Sequence, residues 1–258
     1  MLFDSHCHLN DPLLYSKIED IILQSKQVGV SKFLVVGYDY SSSLIAIEIA
    51  NKYKECYASI GIHPTEIDSI LNKDVDLFFS LLKEEKVVAV GEIGLDYHWQ
   101  KENDLKNRQK EWFIKQINYA NKYNKPIIVH SRDADEDTFK ILKENIVSKK
   151  GVLHCFSMSK EMMKEFVKIG FYIGLDGPIT FKNAKVPIEV CEAVPLERLL
   201  LETDCPYLTP TPFRGKENLP FYLPLIAKKV SEIKKISLFE VEKATYNNTI
   251  RLFGIKDE

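Results

Sequence analysis

The chain has no excess of positive charge. Its 258 residues include 35 Lys and Arg against 37 Asp and Glu, a net charge of −2, and the pI is near 6.3. That balance excludes nucleic-acid binding by a broadly basic surface, so any anion must be held locally. Cysteines are few: five, at positions 7, 56, 155, 191 and 205, odd in number and without paired spacing, which argues against a disulfide framework. No apolar run reaches the ~18 residues needed to span a bilayer, and no charged-then-apolar leader is visible. A reduced, cytoplasmic protein that does not enter membranes is expected. Linkers, low-complexity segments and internal repeats are also missing, which points to a single domain over residues 1–258. Apolar residues are not scarce; at 45% they suffice for one large core. No segment suggests an obligate protein partner.

What is present is an alternation. Short β-rich runs at residues 2–7, 33–37, 57–62, 87–93, 126–130, 151–156, 171–175 and 199–204 alternate with stretches of helical period at 13–28, 42–53, 74–83, 103–123, 133–147, 160–169 and 187–193. Asp11 and Pro12 offer an N-cap and first-turn proline to the first helix, and Gly29 its stop. After the eighth run come a helix at 221–234 and a last one, opened by the capping box Ser237-x-x-Glu240 and closed near Gly254. Eight alternations predict an α/β fold, a (β/α)8 TIM barrel. No glycine-rich phosphate fingerprint follows the first strand, which weakens the competing open doubly wound sheet.

The chemistry-bearing residues gather at the C-terminal tips of these strands. The run Asp4-Ser5-His6-Cys7-His8 presents His6 and His8 on one face, with roots roughly 7 Å apart, close enough for both rings to meet one divalent ion. His63 ends the third strand, Glu92 the fourth, His130 the fifth, His154 the sixth and Asp204 the eighth. Five of the six histidines therefore fall where a barrel places its active site, and only His98 does not. Four imidazoles and two carboxylates exceed the needs of one tetrahedral zinc and suit two ions roughly 3.5–4 Å apart, bridged by a carboxylate. Glu92 is the natural bridge, with His6, His8 and Asp204 on one ion and His130 and His154 on the other. Alternation puts Asp4 and Glu202 beneath the mouth, where their carboxylates are expected to hydrogen-bond and orient ligand imidazoles. The same alternation turns Cys7 and Cys155 away from the ligand side.

Around the mouth are residues suited to an anionic substrate. Arg214 and Lys216, in a proline-stiffened loop after the eighth strand, are placed to reach a phosphate, as is Arg132. His63 joins them as a substrate contact. Tyr97, His98 and Trp99 form a loop on which bases can stack.

Together these stretches resemble the TatD family of metal-dependent deoxyribonucleases, within the amidohydrolase-like barrels. The resemblance rests on Asp4-Ser5-His6-Cys7-His8, Gly61-Ile62-His63-Pro64, Gly91-Glu92-Ile93-Gly94-Leu95-Asp96, Val129-His130-Ser131-Arg132, Leu153-His154-Cys155-Phe156-Ser157, Leu200-Leu201-Glu202-Thr203-Asp204, and the loop Arg214-Gly215-Lys216 with Asn218 and Pro220. It implies a nuclease using two divalent ions (Zn, Mg or Mn) held by His6, His8, Glu92, His130, His154 and Asp204. DNA would be its substrate, single-stranded or at 3′ ends, cut exonucleolytically, with Glu92 and Asp204 as catalytic residues. Three positions depart from the family pattern: Thr65 where a second histidine is common, Met158 for a glycine, and Asp176 for a small neutral residue. The last is expected to add negative charge that weakens polyanion binding. Two rival readings remain: a small-molecule amidohydrolase or phosphotriesterase-like enzyme on the same barrel, and a metal-stabilised scaffold without catalysis. Many binuclear sites of the first kind use a carboxylated lysine as the bridge, and no strand tip here bears a lysine.

Overall fold

Runs such as Val87-Val88-Ala89-Val90 are apolar on both faces, and a strand of that kind is stable only when covered on both sides. In the computed structural model, which describes residues 1–256, they are so covered. Among the described residues eight strands follow one another around a single sheet, each parallel to the next. They are β1 (Leu2–Cys7), β2 (Val30–Val36), β3 (Cys56–Ile60), β4 (Val87–Asp96), β5 (Ile127–Arg132), β6 (Gly151–Leu153), β7 (Tyr172–Leu175) and β8 (Leu199–Leu201). The sheet closes where the chain beyond β8 meets β1: Asp204 N donates to His6 O and His8 N to Cys205 O, both at 2.9 Å. The expected (β/α)8 barrel is the observed fold.

Helices wrap the outside: α1 (Pro12–Tyr15), α2 (Ile18–Gln27), α3 (Tyr40–Lys52), α4 (Val75–Ser80), α5 (Asn103–Lys122), α6 (Asp135–Glu144), α7 (Lys160–Lys168), α8 (Lys185–Ala193), α9 (Leu223–Lys234) and α10 (Leu238–Phe253). The first predicted helix is two, interrupted at Ser16 and Lys17. Both caps read from the sequence are made: Asp11 accepts from Leu13 N, and Ser237 and Glu240 bond reciprocally. No described helix is long and apolar enough to cross a membrane.

Inside the barrel, side chains two apart share a face. Ile128 lies below His130, and Val152 and Leu200 join it in an apolar cluster closed from beneath by Tyr246, Leu252 and Phe253 of α10. The polar mouth thus stands on a packed apolar floor. The largest early endings are at β6, which stops at Leu153, and β8, which stops at Leu201, each three residues before its apolar run ends. The chain leaves extended geometry there, reaching the left-handed region at Cys155 (φ 44°) and Asp204 (φ 56°). Strand alternation cannot therefore predict where the side chains beyond these ends point.

Candidate metal centre

Each histidine at the mouth is positioned by a strand end. His6 and His8 come from β1 and its exit, and their Nε2 atoms face each other at 3.2 Å. Asp204 Oδ1 completes a triangle, 3.6 Å from His6 Nε2 and 3.4 Å from His8 Nε2. A divalent ion bound at ~2.1 Å spaces tetrahedral ligands about 3.4 Å apart, so these three atoms already have the separations of one coordination edge. Glu92 turns its two oxygens to different neighbours. Oε2 lies 3.6 Å from His6 Nε2 and 3.9 Å from His8 Nε2. Oε1 lies 2.8 Å from His154 Nε2, 2.9 Å from His130 Nδ1 and 3.6 Å from His63 Nε2. Donor atoms of His6, His8 and Asp204, and of His63, Glu92 and His130, cluster closely enough to surround a cation. The donor set fits metal ions: it is imidazole and carboxylate, and the inward ring nitrogens converge on the two carboxylates Glu92 and Asp204.

Outer partners fix the rings. His8 Nδ1 bonds Val36 O at 3.0 Å, and His130 Nε2 meets Asp96 Oδ2 at 3.0 Å. A ring nitrogen hydrogen-bonded to an oxygen is committed to N–H there, which leaves the other nitrogen free as a ligand. The Asp96 contact was not part of the sequence reading, although Glu92, Gly94 and Asp96 alternate along β4 and so share its face. Gly94 has φ +143°, and a Cβ there would strike the His130 carbonyl. Only glycine lets β4 pass β5 closely enough to bring Asp96 to His130.

The electrostatics divide the carboxylates into two sets. Burial acts to raise the pKa of Glu92 and Asp204, but the histidines facing them outweigh it and hold both below their ordinary values. Beneath them, burial dominates: it pushes Asp4 up to about 7 and Glu202 well above the usual range, the latter also through Asp176. Among the histidines, burial and then His154 lower His6 to about 4, while burial and then His130 lower His63 to about 3. For His130 the burial effect is overcome by hydrogen bonds to Asp96 and Glu92, which raise it to about 9.

Several placements differ from the sequence expectations. Asp4 does not touch an imidazole ring; its carboxylate accepts from Thr203 N, Thr203 Oγ1 and the backbone N of His6. The register of β1 shifts between Asp4 and Cys7, so the alternation that was to put Asp4 on the face of His6 fails. Its carboxylate lies beside Cys7 and Cys205 and braces the seam where the segment after β8 closes the barrel. Glu202 accepts from Cys155 N and approaches His154 Nδ1 only to 3.8 Å, beyond hydrogen-bonding distance. Cys7 points outward and bonds Leu34 O, as expected. Cys155 instead lines the mouth, because the left-handed turn after β6 ends the alternation. Asp176 is buried, and burial followed by Asp204 raises it to about 8, so at neutral pH it carries little of the extra charge expected. Thr65 hydrogen-bonds His63 Nδ1 at 2.8 Å, and Met158 is a core residue.

The mouth opens into a cavity of about 520 Å3 whose wall includes His8, His63, Glu92, His130, Arg132 and Asp204. Trp99 stands beside it, 70% exposed, with the Arg132 guanidinium 5.5 Å from its ring centre. His98 pairs with Asp133 at the surface, and Tyr97 donates to Asp137. Arg214 and Lys216 are exposed outside the cavity wall, each over an aromatic ring, Phe181 and Phe213 respectively.

Comparison with known proteins agrees with this geometry. The family model described as TatD related DNase matches residues 3–254. The chain belongs to the TatD family. It is 44% identical over 256 residues to an uncharacterized metal-dependent hydrolase, YabD, of Bacillus subtilis, covering 99% of this chain and 100% of that one. It is 38% identical to another, YcfH of Escherichia coli K12, covering 98% and 96%. Among solved structures, the TatD homologue YjjV of Escherichia coli superposes with a TM-score of 0.93 at 31% identity, covering 99% and 98%. Membership of the TatD family makes this chain a metal-dependent hydrolase, and the donor groups at its mouth are candidates for the metal.

Proposed function

We propose that this TatD-family hydrolase is a deoxyribonuclease that removes nucleotides from 3′ ends of DNA through a binuclear centre of Zn, Mg or Mn. One observation carries the reading: the two oxygens of Glu92 face two separate donor groups, His6 and His8 with Asp204 on one side, His130 and His154 on the other. This is the arrangement a bridging carboxylate needs. Ions bound there would supply a water of lowered pKa and positive charge for phosphoryl oxygens. Asp204, held ionised by its histidine neighbours, accepts the proton released by the attacking water at Oδ. His63 and Arg132, in the cavity wall, contact the substrate, and the Arg132 guanidinium pairs with a phosphate. Trp99 offers an exposed face for a base, and Arg214 and Lys216 hold the strand farther from the reacting bond. A cavity of about 520 Å3 has the size of a small-ligand site, which suits entry of a strand end.

The test is metal content measured together with cleavage of an oligonucleotide labelled at its 3′ or its 5′ end, with and without EDTA, beside a panel of lactones, amides and phosphotriesters. Metal-dependent release of the 3′ label as mononucleotide is expected. Turnover of the small esters with intact oligonucleotide would favour the amidohydrolase-like reading. Absence of any turnover in a metal-loaded protein would leave the scaffold.

A further inference from the structure

We propose that the opposite end of the barrel carries a second binding site, for a phosphoryl-bearing small anion. Strands β4 to β8 begin at this face and end at the mouth, so the two ends are separated by roughly 20 Å, the length of a six-residue strand. Here a cavity of about 550 Å3 is lined by Lys125, Lys149, Lys150, Arg198 and Arg251. No Asp or Glu lies in its wall among the described residues. The chain as a whole carries slightly more acids than bases, 37 against 35, so five cations without one carboxylate make a strong local field.

A plainer account is that these cations complement the negative C-terminal ends of the surrounding helices. It covers Arg251, in the last turn of α10, and α5 and α7 already have Lys122 and Lys168 for that purpose. Lys125, Lys149, Lys150 and Arg198 lie outside any α-helix, in the turns that feed β5, β6 and β8. Two of them are half-buried. Lys125 Nζ donates to Val87 O, and burial lowers its pKa. Arg198, in the cavity wall, is stacked on the Tyr172 ring at 5.0 Å and spends one N–H on Gly170 O at 3.2 Å, which leaves the other N–H groups of its fork for a ligand. These neutral partners return part of the lost solvation, but among the described residues neither cation has a carboxylate to balance its charge. A bound anion would restore the balance, and Arg198 is already held in place to receive it. The cavity has the size of a small-ligand site, with Tyr123 and Phe253 as an apolar flank.

The experiment is equilibrium dialysis of the intact, metal-loaded protein against dAMP, inorganic phosphate and adenosine. Two classes of dAMP site are expected, one at the mouth and one here, the second weakening as salt rises. The exposed pair Lys149→Gln with Lys150→Gln, and separately Arg198→Gln, should weaken the second class about tenfold or more. Metal content and turnover at the mouth should be unchanged in the lysine pair. dAMP binding tighter than phosphate identifies a nucleoside phosphate as the ligand, and equal binding identifies free phosphate. Adenosine binding as tightly as dAMP overturns the proposal, as does a second class indifferent to both variants, or its absence from the wild type. Glu92→Gln should leave this class intact, so failure of the nuclease reading and failure of this one are separable.

Discussion

Asp96 Oδ2 lies 3.0 Å from Nε2 of His130, so the far side of that ring is anchored while Nδ1 faces Glu92. Asp96→Asn should lower affinity for the divalent ion by about 10- to 100-fold, as loss of such an orienting partner does. The thermal midpoint should stay nearly constant, since the amide oxygen can still accept from His98 N and Trp99 N. A zinc or manganese titration beside a melting curve checks both.

Glu92 is the side chain shared by the two donor groups. Glu92→Gln removes the charge but keeps the shape, so the protein should fold, hold fewer than two ions and lose activity by about a hundredfold or more. Full turnover in the variant would remove Glu92 from the centre.

Metal uptake should depend on pH through His130. Asp96 and Glu92 raise its pKa to about 9, so in ion-free protein the ring is protonated at neutral pH. A ligand imidazole must be neutral. Ion binding should therefore release a proton below about pH 9, with affinity climbing as pH rises towards that value and levelling above it. Calorimetry in two buffers of different ionisation enthalpy counts the protons; identical heats in both would contradict the assignment.

Trp99 is 70% exposed and contributes little to the core. If it stacks a base, Trp99→Ala should raise KM for a single-stranded oligonucleotide about tenfold, from roughly 1–3 kcal/mol of lost stacking. The value of kcat and the thermal midpoint should hardly move. Steady-state kinetics with a labelled strand decides.

Gly174→Ala should destabilise the barrel by about 1–3 kcal/mol. A Cβ there would lie 2.5 Å from Glu202 Oε2, and that carboxylate is buried and tied to Cys155 N and Ser5 Oγ, so it cannot swing aside. Chemical denaturation measures the loss.

The strand–helix alternation was legible because apolar periodicity is local: each run declares its own period and burial without reference to its neighbours. The barrel followed from counting such runs, and with it the edge on which His6, His8, His63, Glu92, His130 and His154 meet. Less legible was everything fixed by contact between strands. Asp4 was expected at an imidazole and is found on Thr203, 199 residues away along the chain. Cys155 was expected to face outward and lines the mouth, because one left-handed residue cancels the pleat on which the expectation rested.

What the sequence alone determined, then, is the order of elements and the chemical identity of the side chains at their tips. Tertiary structure decided how those side chains are paired: Asp96 behind His130, Thr203 on Asp4, and five cations gathered at the far end from three turns and the end of α10. The physical reason is range. Helical and strand periods repeat over two to four residues and are written in the chain itself. Hydrogen bonds and charge clusters depend on which strand lies beside which, and on the side-chain volume, zero at Gly94, that lets them approach.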